Sequence, residues 1–509
     1  MSGNARAIET GPSPALPASG RDFLAARHTA ALLIVAVAVA TRIVSWWNPV
    51  AHVDDQFYLL AGEELLNGHW PYVDVWDRKP LGLFLLYAAI AWIGGGSMVA
   101  LNFVATAFAA ATAWIIRGIG LRFASTTGAT LGALAYLFVI PLIGGQNGQS
   151  PVFYNLLMAG AAWQLVEAAG PSTPIVRRAI GAMLLCGLAL TIKQISFVEG
   201  AYFGLAFLWL MHRRGMPLAR IAGTGALMIA IALLPTGSML AGYALAGREP
   251  LDAFLFATVT SIFLKSGWGA RSELAGLLFF FLHLAPLLFM AVAGAVLRHR
   301  KGVDVRDKLL IGWIGAALLG YAAVPHFFEH YALPVVVPLA VSAATFFDRS
   351  LGWMYFLALA AFCVIIAPPI RDISSNRQSR IEFERLTQAV NEARQGGCIY
   401  VGDGPTRLYS ATGACRVTRY LLPDHLNLTV EEGAVGVDTR AELNAILARR
   451  PAAIVTRDRK RLRYSDAYQD FLGEVRAQYR NIYASPEGAP PQVRSVRVWQ
   501  RKESATPTS

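Results

Sequence analysis

The chain has 509 residues and carries 45 Lys and Arg against 33 Asp and Glu, a formal charge of +12, yet only 15% of it is charged and 55% is hydrophobic. Average soluble proteins are about 25% charged, so this composition, with a mean hydropathy of +0.44, excludes a water-soluble enzyme and a free nucleic-acid binder. The charge is unevenly spread: 38 of the 78 charged side chains fall in the 139 residues from position 371 onward. Three parts follow: a lead at 1–28, a membrane region at 29–370 ending near the Pro368-Pro369 pair, and a soluble region at 371–509 of ordinary single-domain size.

Residues 1–28 are rich in Pro, Ser, Gly and Ala, with Arg6, Arg21 and Arg27. They hold too little apolar surface to fold alone and are expected to form a disordered cytoplasmic lead. The run 29–47 has the length of a bilayer crossing, ends in the interfacial pair Trp46-Trp47, and reads as an uncleaved signal anchor. Further crossing runs lie at 98–116, 123–143, 152–169, 179–193, 196–211, 221–246, 275–297, 309–325, 331–347 and 351–369. Another run, 80–93, is shorter: at 1.5 Å per residue it reaches about 21 Å against a hydrocarbon layer of about 30 Å. Gly94-Gly95-Gly96 then stops it.

Whether 80–93 crosses decides the side of everything after it. If it does not, Arg117, Arg122, Arg177, Arg178, Arg213, Arg214, Arg220, Arg298, Arg300, Lys301 and Arg349 all share the side of the basic N-terminus, which the positive-inside rule makes the cytoplasm. If it does, all of them fall outside. The short helix is therefore expected to dip into, or lie on, the outer face. The expected fold is an α-helical polytopic membrane protein with about eleven transmembrane helices, outer-face juxtamembrane helices and a small C-terminal α/β extracytoplasmic domain, placed multi-pass in a bacterial inner (plasma) membrane. The basic excess is met by membrane lipid headgroups, not nucleic acid.

In the tail, 398–403, 452–456 and 493–499 read as strands, and 439–449 and 464–480 as helices. Val401-Gly402-Asp403-Gly404 reads as a strand end and turn rather than a nucleotide loop. Cys186 and Cys363 lie in apolar runs as packing residues. Cys398 and Cys415 can pair if the tail stands in an oxidising space, and the sequence leaves both states open.

The segments left on the outer side are 48–97, 144–151, the turn at Lys193-Gln194, 247–274, 326–330 and the tail. The first is the richest: Asp54-Asp55-Gln56-Phe57-Tyr58, then Gly68-His69-Trp70-Pro71-Tyr72, then Asp74 through Arg78-Lys79-Pro80. Residues 54–67 read as a helix closed by Gly68, with both aspartates in its first turn, where the helix dipole favours carboxylates. Tyr58 shares the face of Asp54. Lys79, with Arg78 beside it, puts positive charge at the mouth of the short helix, where a lipid phosphate is the natural counter-ion. A plainer reading makes the aspartates a cap and Arg78-Lys79 interfacial anchors, but so dense a cluster on one membrane face favours a site.

The order Asp-Asp-x-x-Tyr, Gly-x-x-Pro-Tyr, Lys-Pro and a short apolar helix resembles the first outer loop of GT-C glycosyltransferases. It is most like bacterial relatives of protein O-mannosyltransferases and of aminoarabinose lipid A transferases, over residues 29–200 and in layout to the tail. The resemblance implies an inverting transferase that moves a hexose or pentose from a polyprenyl-phosphate donor to an extracytoplasmic acceptor: lipid A, core oligosaccharide, another envelope glycan, or protein. It implies Asp54 as the catalytic acidic residue with Asp55 second, and Lys79 and Lys193 at the donor phosphate, although Lys193 has snorkelling as its plain alternative. Relatives often carry a carboxylate just before the proline at 151, where this chain has Gln149-Ser150. No cofactor is required and no metal ligand is assigned, while a divalent metal ion stays open.

Asn147 and Gln149 in that polar loop, and His326, Glu329, His330 and Tyr331 in a later one, are the expected substrate contacts. His326 to His330 also matches the His-x-x-Glu-His pattern of zinc proteases. That motif needs a helix and a further ligand downstream, so a polar cluster facing the shared outer cavity is favoured. A rival of another class, a transporter or flippase of lipid-linked sugars, predicts internal repeats in matching halves, and the sequence shows none.

Overall fold

A computed structural model describes residues 20–267, 269–324, 327–367, 372–458 and 464–502, with side chains from Arg27 onward. His326 and the Pro368-Pro369 boundary lie outside the described residues. The first helix, α1 (Gly20–Ala40), begins inside the segment expected to be irregular, so 20–28 extend the first apolar helix. Then come α2 (Val53–Leu66), α3 (Leu81–Gly94), α4 (Met98–Gly120), α5 (Thr126–Val139), α6 (Ser150–Ala168), α7 (Ile175–Leu190), α8 (Ser196–Arg213) and α9 (Leu218–Ala246). After α10 (Arg248–Leu255), a π-helical turn at Phe256–Thr260 and the short α11 (Ser261–Leu264), the bundle closes with α12 (Ala270–Arg300), α13 (Val305–Ala322), α14 (Leu333–Phe347) and α15 (Gly352–Ile366). Every apolar run read as a crossing is a helix. Six helical spans among the described residues are by themselves long and apolar enough to cross a membrane.

Burial sorts these helices. All fifteen residues of α14 are buried, including Pro338, so it is the axle of the bundle. Helix α5 reaches it closely because Gly128 and Gly132 stand against the Ala344 and Ala340 carbonyls, where a Cβ would collide; small residues at such crossings let backbones approach. Helices α9 and α12 bury 11% and 28% of their apolar windows, and with no aqueous partner for Leu233, Leu234, Phe281 or Phe289 they present the lipid-facing surface.

The short α3 stops at Gly95, which takes the left-handed conformation at φ 58° as glycine does at a helix C-terminus. It does not traverse. Asp55 accepts a hydrogen bond from the Gly148 amide at 3.0 Å, so the loop before α3 and the loop after α5 stand at one end of the bundle. Helices α4 and α5 each cross between them, which returns the chain to its starting side only if α3 turns back. The opposite end gathers the arginines: Arg122 pairs with Glu167 at 2.6 Å, Arg214 donates to the Ala168 and Thr173 carbonyls, and buried Arg298 pairs with Asp307 at 2.6 Å.

The tail contains a four-stranded sheet, β1 (Ile399–Val401), β2 (Ala453–Arg457), β3 (Tyr479–Ala484) and β4 (Val496–Arg501), in the order β1-β2-β4-β3. Strands β1 and β2 run parallel and the other pairs antiparallel. Strand β3 occupies residues expected to end a helix at 480; the helix is Asp466–Gln478. A long helix, Ile373–Arg394, precedes the sheet and was not foreseen. Cys398 and Cys415 form a disulfide, while Cys186 and Cys363 are free and buried. The tail sits on the first outer loop: the Trp76 amide donates to the Arg419 carbonyl at 2.9 Å, and Arg407 and Arg416 pair with Glu63 and Glu64 of α2.

Candidate functional site

Helix α2 starts on an extended residue, His52, whose Nδ1 accepts the Asp54 amide at 3.2 Å and so caps the helix. The adjacent carboxylates then diverge, as neighbours about 100° apart on a helix must. Asp55 is fully buried and fixed to Gly148, whose carbonyl also accepts the Tyr87 hydroxyl. Burial pushes the Asp55 carboxyl up to about 7; the Asp54 charge adds to this, and His52 and the Gly148 amide pull against it.

Asp54 is half-buried and turned to the other side. Its Oδ2 lies 3.5 Å from the Gln149 amide nitrogen, which also rests on the His52 ring at 3.0 Å from Nε2. The Asp54 charge acts on Tyr58, Lys79, Lys193 and Tyr331, so these groups lie within electrostatic reach of this carboxylate. Lys79 Nζ stands 5.8 Å from the Tyr58 ring centre and Lys193 Nζ 4.1 Å from that of Tyr331, both within cation–π range. His330 meets Tyr331 edge-on at 4.6 Å and His52 at 5.9 Å. The structure thus brings together Asp54, Tyr58, Lys79, Gln149, Lys193, His330 and Tyr331 from five separated stretches of chain.

Other expected residues are placed differently. Asn147 is wholly buried, its amide donating to Asn102 at 2.9 Å and Ser45 at 3.3 Å, so it holds the loop rather than facing the cavity. Glu329 is exposed in the 3-10 turn Glu329–Ala332. The helical register a zinc-protease motif needs is not formed, since Phe328 is extended and Phe327 sits at φ 43°. Arg78, expected at the donor phosphate, turns to the tail: its Nη2 binds Glu431 at 2.7 Å, and Lys265 Nζ takes the other carboxylate oxygen at 2.7 Å. Burial opposes the Glu431 charge, but Lys265 and Arg78 outweigh it and hold the carboxyl at about 2.

Beneath Lys79 lies Asp77, fully buried. Its Oδ1 accepts the Lys79 amide at 2.8 Å and its Oδ2 faces His425 Nε2 at 3.3 Å. Burial disfavours the Asp77 anion, yet Lys79, His425 and Arg78 keep the carboxyl well below its ordinary range. Lys79 is desolvated too, but Asp77, Tyr331 and Asp54 raise its pKa above the usual lysine value. The Tyr72 hydroxyl fixes the Lys79 carbonyl at 2.8 Å, so this lysine is charged and rigidly placed.

His52, His425 and Glu431 were missed by sequence reasoning, while Asp77 and Lys265 lay in segments read as polar and outer without a role being assigned to them. His52 had one available signal, a histidine two residues before an acidic first turn; His425 and Glu431 had none. Among the described residues no group of three or more His, Cys, Asp or Glu side chains could hold a metal ion. Asp54 has an amide and an imidazole beside it where a second carboxylate would be needed, a donor set that does not fit a tightly held divalent metal.

No protein-family model matches the chain, and no curated protein matches it in sequence. Solved structures do. ArnT from Cupriavidus metallidurans bound to undecaprenyl phosphate superposes with a TM-score of 0.64 at 11% identity, covering 95% of this chain and 98% of that one. Its apo state gives 0.63 over the same extents. The oligosaccharyltransferase AglB from Archaeoglobus fulgidus, in complex with an inhibitory peptide and a dolichol-phosphate, gives 0.53 at 11% identity, covering 97% of this chain and 76% of that one. With a helical bundle, a short helix after the loop that carries Asp54 and a tail domain docked on that loop, the chain shares the fold of these solved structures.

Proposed function

We propose that the protein is an inverting glycosyltransferase that takes a sugar from a polyprenyl-phosphate donor and passes it to a hydroxyl of an envelope glycan or glycolipid. The observation that carries this reading is the charge arrangement of the cavity. Lys193 is only 7% exposed and, among the described residues, forms no ion pair; it stands with Lys79, whose counter-charge is Asp77 beneath it, on the side of Asp54. Burying an ammonium group is costly unless an anion meets it, and a lipid-linked phosphate supplies one. The undecaprenyl phosphate and dolichol-phosphate named with the two structural neighbours support the same donor class.

The chemistry follows from the placement. Asp54 accepts the proton of the incoming hydroxyl, the hydroxyl oxygen bonds to the anomeric carbon, and the bond from that carbon to the phosphate oxygen breaks with its electron pair going to the phosphate. Lys79 and Lys193 stabilise the charge that develops there. The Gln149 side chain reaches the Asp54 carboxylate at 3.5 Å, His52 caps the helix through the Asp54 backbone amide, and Asp55 holds the helix to the 144–149 loop. By the positive-inside rule, the arginines at the opposite end support a site on the extracytoplasmic face, in keeping with the reading of a bacterial inner membrane.

The test is sugar transfer by purified protein in detergent, supplied with a polyprenyl-phosphate sugar pool and an envelope extract. Asp54→Asn is expected to lower the turnover rate by about 10²–10⁴-fold, the range of a lost general base, while still binding polyprenyl phosphate. Full retention of transfer by this variant removes Asp54 from the mechanism.

A further inference from the structure

A second cavity stands on the other side of the first turn of α2. It is a cleft of about 1100 Å³ whose floor is Val50, Val53 and Gln56, and whose remaining walls come wholly from the tail, at 404–405, 457–458 and 484–497. Val53 and Gln56 are three residues apart and share a helix face. Asp54 and Tyr58, four apart, form the adjoining face that looks on the cation cavity. One turn of helix therefore partitions the two spaces, and Asp54 belongs to the partition.

The cleft is built for a hydrophilic ligand. No aromatic ring and no spanning helix lines it. Its polar groups alternate in kind: Arg497 Nε meets Asp458 at 2.7 Å, Arg457 donates to the Gln492 carbonyl at 2.6 Å, and exposed Arg494 donates its Nε hydrogen to the Ala489 carbonyl at 2.8 Å, with Glu487 on the same wall. Sugar hydroxyls each donate and accept and pair with such mixed groups. Gln56 stands in the floor, its Nε2 donating to the His52 carbonyl at 3.1 Å, and its Oε1 has no hydrogen-bond partner among the described residues.

We propose that this cleft binds the glycan of the acceptor and that the acceptor is recognised by water-borne sugar residues rather than by acyl chains. The proposal rests on the transferase reading and deepens it. The sugar chain lies between α2 and the tail domain, with its reactive hydroxyl reaching past Val53 to Asp54, while the donor lipid occupies the cavity on the far side.

The experiment measures transfer from a radiolabelled polyprenyl-phosphate sugar pool to a deacylated, water-soluble envelope glycan pool, at increasing glycan concentration, for wild type and Arg494→Trp. Arg494 is exposed, so the variant folds; its stabilisation by polyprenyl phosphate in a thermal shift verifies this. The expected result is transfer by wild type and, in the variant, a tenfold or greater rise in the glycan concentration giving half-maximal rate, with the maximal rate kept. Identical glycan dependence in the two proteins overturns the cleft assignment, as does transfer by wild type to acylated glycolipid but not to the deacylated pool. Absence of both transfer and polyprenyl-phosphate stabilisation in wild type overturns the transferase reading itself, and this proposal with it.

Discussion

Replacing Glu431 by Gln removes one negative charge and almost no volume from the joint between the tail and the first outer loop. The carboxylate is 3% exposed and is held at 2.7 Å by both Arg78 and Lys265, so its loss leaves two cations facing a neutral amide. The depression of its pKa from 4.5 to about 2 corresponds to about 3 kcal/mol of stabilisation at neutral pH, at 1.36 kcal/mol per unit. That agrees with the 3–5 kcal/mol measured on breaking buried pairs. Because the folded value lies below the unfolded one, this stability is fully present above pH 4.5 and lost as pH falls toward 2. At pH 3 only about 1.4 kcal/mol of the difference between wild type and variant remains. Thermal unfolding of both proteins in detergent, followed by tryptophan fluorescence from pH 7 to pH 3, reads this directly. A variant whose transition overlaps that of wild type at pH 7, or whose deficit does not shrink on acidification, refutes the assignment of Glu431 as the counter-ion of this joint.

Lys193→Met is expected to weaken polyprenyl-phosphate binding by about 10–100-fold, the worth of a charge-assisted hydrogen bond; unchanged affinity in a titration with a fluorescent polyprenyl phosphate counts against the donor cavity. Asp55→Asn is expected to be more stable than wild type above pH 7, because the carboxyl raised to about 7 makes wild type lose roughly 4 kcal/mol as pH rises from 4 to 8, a slope that the amide lacks; equal stabilities at pH 8 contradict it. Removing the Cys398–Cys415 disulfide, which closes a stretch of 17 residues, by substituting both cysteines with Ser is expected to cost the tail about 3 kcal/mol, read as a lower denaturant midpoint.

What the sequence makes legible here is what one dimension can encode. The crossing runs are hydropathy patterns confined to each segment, and the turning back of α3 follows from its fourteen residues and its terminal glycines, properties that need no partner. The cavity was legible to the extent that each loop had its own concentration of polar residues. The divergence of Asp54 and Asp55 was not, because the face each takes is decided by Gly148, 93 positions downstream of Asp55. Glu431 is 353 residues from Arg78, in a segment whose own pattern says only that it is polar. Strand β3 escaped for another reason: it lies at the sheet edge with Arg480, Asn481 and Ile482 exposed, so it lacks the alternation by which a half-buried strand announces itself and merges with the charged helix before it.

The pairing of cations with carboxylates in this region is selective, and the selection has a functional sense. Arg78 and Lys265 are neutralised by Glu431, a residue of the tail. Lys79 is compensated from below by Asp77, which is itself locked to His425 of the tail. Lys193 alone of the four buried or half-buried cations has only the face of Tyr331 and the more distant Asp54 for company. A cavity meant merely to be stable would match this lysine with a carboxylate or replace it by an apolar residue, since isolated buried charge is destabilising. On the proposed reading, a donor phosphate beside Lys79 and Lys193 would offset that cost. The Arg78–Glu431–Lys265 joint then has a second consequence: with these neighbouring cations paired to the tail, Lys79 and Lys193 are the charges that the proposed donor phosphate would meet.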